Sequence, residues 1–175
     1  MKKVLSVDFF NRPTPQVAEE LLGKFLMRRL PSGEIMARMI LETEAYDGFH
    51  DKASHASRGK TNRNTIMFGH AGFWYVYFTY GMHWMLNIVT REKEYPAAVL
   101  IRGVEGLNGP ARLTKELQID KNLNGAPASK KSGLWIEDRG IKIPKNKIKK
   151  TGRVGIIYAG PYWIKRKWRF VMKSS

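Results

Sequence analysis

The stretch KFLMRRLPSGEIMARMILETEAY, residues 24–46, decides how this chain folds. Two apolar runs flank Pro31-Ser32-Gly33, a tripeptide with turn chemistry, and that arrangement predicts a β-hairpin. Side chains alternate between the two faces of a strand. On the second strand Ile35, Ala37, Met39 and Leu41 should therefore share one face. Arg38, Ile40, Glu42 and Glu44 should share the other, so the strand ends in carboxylates on that side.

Working outward, the segment before the hairpin, TPQVAEELLG (14–23), reads as a short packing helix. Thr14 is the expected N-cap, Pro15 fits the first turn and Gly23 the end, and Val17, Leu21 and Leu22 form the apolar face. After the hairpin, residues 47–72 are rich in Gly, Asn, Ser and charge and predict a long loop, with a helical turn near Asp51–Ala56. A loop of that length inside a compact domain is usually functional. FWYVYFTY and MHWMLNIVT then predict two strands around Tyr80-Gly81, with Tyr80 and Met82 projecting from the tip. AAVLIRGVE (97–105) predicts another strand, and GPARLTKELQI (109–119) a helix opened by Gly109-Pro110. LWIEDRG, TGRVGIIYAG and KWRFVMK predict further short strands, the first two separated by the basic linker IKIPKNKIKK. The fold class that follows is α+β, a single domain over residues 1–175.

Leu41–Thr90 concentrates the chemistry. It holds all four histidines, His50, His55, His70 and His83, and ten of the twenty aromatic residues. Glu44 stands at a strand end beside Tyr46, where a carboxylate facing a cleft can activate water. Phe73, Tyr75 and Tyr77 alternate with Trp74, Val76 and Phe78, a pattern that most often means core. Tyrosine, however, carries a hydroxyl that needs a partner when buried.

Charge points to the partner. Net charge is +16. Residues 1–120 hold 16 basic and 13 acidic side chains, whereas residues 121–175 hold 15 basic and 2 acidic. Such a field favours a polyanion, and flat aromatic walls beside positive charge suit a nucleic-acid base pocket. The residues alone leave open an enzyme acting on a base, a noncatalytic nucleic-acid binder with aromatic platforms, or merely a solvated basic face. Other classes are disfavoured. No cysteine is present, which removes disulfides, thiolate metal sites and Cys nucleophiles. His50 and His55, five apart, suit neither a helix face nor a strand face, and no metal-binding motif occurs. No phosphate-cradling glycine motif and no G-x-S-x-G elbow is found. No apolar run spans a bilayer and the N-terminus lacks signal-peptide character, so a cytoplasmic protein is expected.

One resemblance covers nearly the whole chain, in order. The run Glu42-Thr43-Glu44-Ala45-Tyr46, then His55, Arg58-Gly59, Arg63-Asn64, Met67-Phe68, Tyr75-Val76-Tyr77, Tyr80-Gly81-Met82 and Asn87 resembles the alkyladenine (3-methyladenine) DNA glycosylases. The likeness resumes at Leu100-Ile101-Arg102, Gly109-Pro110-Ala111-Arg112-Leu113, Arg153-Val154-Gly155, Ala159-Gly160 and Arg169-Phe170.

The resemblance implies a fold around a curved antiparallel sheet, like the C-terminal domain of formyltransferases. It implies a monofunctional hydrolase that flips an alkylated purine out of duplex DNA and cuts the N-glycosidic bond without metal or cofactor. Carried over by position, Glu44 is the general base for water, which Arg102 and the Val154 carbonyl help to hold. Tyr46, His55 and Tyr77 sandwich the base, and Asn87 excludes guanine. Tyr80 wedges into the duplex with Met82 beside it. Lys60, Arg63, His83 and Arg112 fall on the DNA backbone. His83 stands where the family often has Tyr, the loop from His55 to Met67 looks shorter than in mammalian members, and Thr90–Ala97 looks longer. The missing N-terminal extension is similar to bacterial members. The implied protein is a monomer on double-stranded DNA, near the nucleoid.

Overall fold

A computed structural model describes residues 2–173. Among these residues ten strands form one sheet in which every pairing is antiparallel. In chain order they are β1 (Lys3–Val4), β2 (Phe25–Arg29), β3 (Ile35–Asp47), β4 (Trp74–Thr79), β5 (His83–Val89), β6 (Ala97–Val104), β7 (Leu107–Asn108), β8 (Leu134–Asp138), β9 (Ile148–Thr151) and β10 (Arg169–Met172). The main order is β1-β8-β2-β3-β6-β5-β4, and β10 pairs with both β3 and β9 off that path. Four short helices complete it: α1 (Val7–Phe10), α2 (Thr14–Glu20), α3 (Pro110–Glu116) and α4 (Pro161–Lys165). The α+β expectation holds, as does the hairpin of β2 and β3.

Two expected details change. Thr14 lies inside α2, with Pro13 at the N-cap position. Its hydroxyl is buried instead, donating to Asp47 Oδ1 at 2.7 Å and 2.9 Å from the Thr90 hydroxyl. TGRVGIIYAG is not a strand. The end of the basic linker forms β9, and the chain beyond it runs through loop and a 3-10 turn at Ile157–Ala159.

The face assignment on β3 also changes, and the cause decides the site. Ile40 pairs with Val104, Glu42 with Gly103 and Thr43 with Ile101. Each strand thus carries one extra residue, Leu41 on β3 and Arg102 on β6. Such bulges switch which side chains face which way. Strict alternation from buried Ile40 would send Glu44 into the core. The bulge sends Thr43 and Ala45 there, and Glu42, Glu44 and Tyr46 to the other face.

Two neighbouring rows across the sheet show the result. Ala45, Val99, Ile88 and Trp74 pair in register, all within the main core. Helices α2 and α3 cover that side with Val17, Ala18, Leu21 and Leu113, together with Leu117. The next row, Glu44, Leu100, Asn87 and Tyr75, lies on the opposite face. The stretch read as a long loop, 47–72, forms two 3-10 turns, His55–Arg58 and Thr65–Phe68, along that second face.

The β4–β5 tip is as expected: Tyr80 is 81% and Met82 67% exposed. The Met82 N–H donates to the Thr79 carbonyl, and both Tyr80 (φ 53°) and Gly81 (φ 63°) sit at positive φ. Glycine adopts this freely, but a tyrosine is strained there. Tyr80→Asn, which gives the Asn-Gly pair such turns prefer, should raise stability by about 0.5–1 kcal/mol in denaturant unfolding. An unfolding midpoint at or below that of the parent would show that the turn is not strained.

Candidate active site

The second face of the sheet forms the floor of a cleft of about 820 Å³. Its walls come from three places. β3, β6 and β5 supply Tyr46, Arg102 and His83; the segment after β3 supplies His55 and Arg63; the loop after β9 supplies Val154, Gly155, Ile156 and Tyr158. Tyr80 stands on the rim.

Glu44 is fully buried just behind these wall residues. Three donors surround its carboxylate. The Val154 backbone N–H donates to Oε1 at 2.7 Å and the Tyr46 hydroxyl to Oε2 at 2.7 Å. Arg102 Nε lies 3.6 Å from Oε1. Arg102 is held more closely by Glu42, at 3.0 Å, and Arg169 Nε donates to the same Glu42 oxygen at 2.6 Å. Burial pushes the Glu44 pKa above the ordinary carboxylate value, against the opposing pull of Arg102, the Val154 N–H and the Tyr46 hydroxyl. It is the backbone N–H of Val154, not its carbonyl, that touches Glu44.

The aromatic residues stand beside this carboxylate. His55 and Tyr77 meet edge to face with ring centres 4.6 Å apart, too close to admit a ring between them. They therefore make one wall. A cavity of about 50 Å³ is bounded by that wall, Tyr46, Tyr75, Asn87 and Tyr158. Burial pushes the Tyr75 phenol up to about 12, and also raises Tyr77 and Tyr46 well above the ordinary phenol value. All three hydroxyls stay protonated at neutral pH, which is why Tyr46 can donate to Glu44. The His55 pKa is lowered, first by desolvation and then by the positive charge of Arg63. The imidazole is neutral at pH 7, with Nδ1 3.2 Å from the Tyr75 hydroxyl. Asn87 Nδ2 donates to the Tyr75 carbonyl at 3.1 Å, which fixes its amide against the cavity.

Of the four basic residues expected on a DNA backbone, Arg63 and His83 line the cleft. Arg63 donates to the Phe78 carbonyl at 2.8 Å and lies 5.2 Å over the Tyr77 ring. Lys60 and Arg112 are exposed but stand outside the cleft lining. Lys142, Lys145 and Lys150 of the basic third border a separate cavity of about 590 Å³.

Sequence reading gave no role to the pair that assembles the site. Asp51 and Arg153, both fully buried at the side chain, form a bidentate ion pair at 2.6 and 2.8 Å. Arg153 also donates to the Ala45 carbonyl at 2.8 Å and stacks 4.7 Å over Tyr46. Asp51 further accepts the N–H groups of Asp47 and Ala53 at 3.1 Å. The pair ties the end of β3 to the loop after β9, and so brings Val154 to Glu44. Within the neighbouring loop Asn64 plays a similar part. Its Nδ2 donates to the carbonyls of His55 and Gly59, and its Oδ1 accepts from the Thr61 N–H.

Two stability outcomes follow. Arg153→Ala leaves the Asp51 charge buried without a partner and should cost about 3–5 kcal/mol in urea unfolding. A loss under 1 kcal/mol would mean the pair is not the clamp. Glu44→Gln should behave oppositely. A carboxyl whose folded pKa is raised loses stability as pH climbs from its unfolded pKa to the folded one. At pH 7 the variant should therefore be more stable than the parent, an advantage that vanishes below the ordinary carboxylate pKa. A pH-independent difference in melting midpoint would contradict the buried-charge account.

With this geometry in place, comparison with known proteins gives a consistent answer. The family model for methylpurine-DNA glycosylase (MPG) matches residues 8–108 and 105–175. The chain is 44% identical to a protein of Methanocella arvoryzae, over 98% of this chain and 94% of the relative. It is 41% identical to one of Borreliella burgdorferi, over 95% of each, and 40% identical to one of Rickettsia africae, over 98% and 92%. All three carry the description "Putative 3-methyladenine DNA glycosylase". Matches over that share of the chain establish that it belongs to the methylpurine-DNA glycosylase family, and that it is a DNA glycosylase, a hydrolase of N-glycosidic bonds.

Proposed function

We propose that this protein removes alkylated purines of the 3-methyladenine type from double-stranded DNA, and that Glu44 activates the attacking water. The observation that carries this is the carboxylate buried directly behind a cleft lined by phenols, one of which donates to it. A noncatalytic binder would gain nothing from holding a charge out of water there.

Alkylation at N3 or N7 makes the purine cationic and so a better leaving group. Tyrosine faces attract such a cation by about 0.5–2 kcal/mol per good contact. The flipped base stacks between Tyr46 on one side and the joined wall of His55 and Tyr77 on the other. The resting cavity of about 50 Å³ widens into the adjoining cleft to admit it. Asn87, held by the Tyr75 carbonyl, stands against the exocyclic amine of guanine.

In the chemical step, ionised Glu44 takes a proton from water as its oxygen bonds to the sugar C1′. The bond to the base breaks, and its electron pair leaves with the purine. Arg102, 3.6 Å from Oε1, holds that water with the backbone of Val154. Because the leaving base is already cationic, one carboxylate suffices and no general acid is needed. Tyr80 fills the gap in the stack with Met82 beside it, and Arg63, His83, Lys60 and Arg112 meet phosphates. A damaged base costs less to unstack, which adds selectivity at the flipping step.

Glu44→Gln should lower single-turnover release of 3-methyladenine from methylated DNA by at least about 10²-fold while binding lesion duplex within a few-fold. Full activity in the variant would end the assignment. For the parent, the single-turnover rate should rise with pH through an apparent pKa above the ordinary carboxylate range. Tyr80→Asn, though more stable, should bind a lesion duplex more weakly by about tenfold or more in fluorescence anisotropy. Unchanged affinity would exclude the wedge.

A further inference from the structure

The loop after β9 carries an apolar tip that the proposed chemistry does not use. Between residues 154 and 164, Val154, Ile157, Tyr158, Tyr162 and Ile164 are all exposed, and Ile157 at 84% is more open to water than Tyr80. A lone exposed aliphatic side chain is ordinary on a protein surface. This one stands in a segment with several other exposed apolar side chains, and the residues beside it are anchored. Its neighbours Ile156 and Ala159 are buried against Ala53. Gly155 and Gly160 bracket the turn at φ 74° and 89°. The Tyr158 hydroxyl donates to the Ala53 carbonyl at 2.8 Å, and Arg153 is pinned to Asp51 just upstream. The tip is therefore set in place before any partner arrives.

Its position names the partner. Val154, Gly155, Ile156 and Tyr158 line the cleft that Tyr80 also lines. Lys52 and Arg63 lie along the same cleft, exposed Lys165 ends α4, and exposed Arg166 and Lys167 follow it. An apolar point flanked by cations is what a nucleotide requires. The cations meet phosphates, and the apolar group meets sugar and base edges.

We propose that Ile157, with Tyr158, is a second apolar contact to duplex DNA. It packs against the deoxyribose and base edges of nucleotides next to the flipped one, with Tyr80 as the other grip. The inference rests on the DNA-repair reading above.

The test measures affinity of Ile157→Ser and Ile157→Leu for a short duplex holding an abasic-site analogue, at fixed salt, by fluorescence anisotropy. Serine should weaken binding about 5- to 20-fold, and leucine should stay within about twofold. The slope of log K against log salt should not change, because no charge is altered. Ile35→Ser, an equally apolar exposed site outside the cleft, serves as the control and should bind like the parent. Thermal melts confirm that each variant is folded. Parental affinity in folded Ile157→Ser overturns the proposal. So does sedimentation showing a parent dimer that Ile157→Ser dissociates, since that would assign the tip to a second copy of the chain. Failure of the functional reading looks different: the parent itself would release no alkylated purine.

Discussion

A carboxylate taken entirely out of water is the constraint to which the rest of the site answers. Burying an ionised group costs on the order of several kcal/mol after relaxation, unless donors replace the lost water. Glu44 receives two short hydrogen bonds and a more distant guanidinium, and its pKa still rises. The compensation is partial because Arg102 is bound first to Glu42, which also takes Arg169. A fully neutralised carboxylate would be a poor base, and a bare one would not stay charged. Glu42 sets the balance by holding Arg102 near Glu44 rather than on it.

Three separate parts of the chain converge on that arrangement. The bulge at Leu41 turns Glu44 away from the core, and the matching bulge at Arg102 carries its guanidinium to the same face. The Asp51–Arg153 pair then draws in the loop that supplies the Val154 N–H. Such a buried pair is weak as a source of net stability but severe when broken. It fixes one geometry, which is what a carboxylate needing donors within hydrogen-bond range demands. The aromatic wall follows the same logic. Burial raises the phenol pKa values further above neutral pH, and in the proposed reading the protonated rings would present electron-rich faces to a cationic base.

Much of this was legible in the residues. Pro31-Ser32-Gly33 between apolar runs gave the hairpin, and Tyr80-Gly81 gave the exposed tip. The order of motifs gave the family. What local reading missed has a physical reason in each instance. Period-two alternation assigned Glu44 correctly to a face with Glu42 but wrongly to that of Ile40, because a bulge leaves no mark on a single sequence. The run TGRVGIIYAG has strand-like residues, yet its glycines at positive φ make it a loop. Asp51 and Arg153 are 102 residues apart, and their pairing exists only once the sheet closes. Of the three donors around Glu44, only Tyr46 is close in sequence, whereas Arg102 and Val154 come from distant positions, so only one of the three could be read locally.

The basic third of the chain sharpens the difference between contact and field. None of its lysines lines the cleft, and Lys150 is already paired with Glu19 at 2.6 Å. Lys149 and Lys150 nevertheless sit on β9, two strands from β3 and in register, through β10, with Glu42 and Thr43. Neighbouring strands are about 4.8 Å apart, so the backbones of β9 and β3 are separated by roughly 10 Å. That is close to the Debye length of about 8–10 Å near physiological salt. Charges there can favour a polyanion at the cleft without touching it, and their pull fades as salt rises. In the proposed reading a division of labour follows from distance: lysines at the sheet edge would bring DNA near, and the cleft with its apolar tips would sort what it finds.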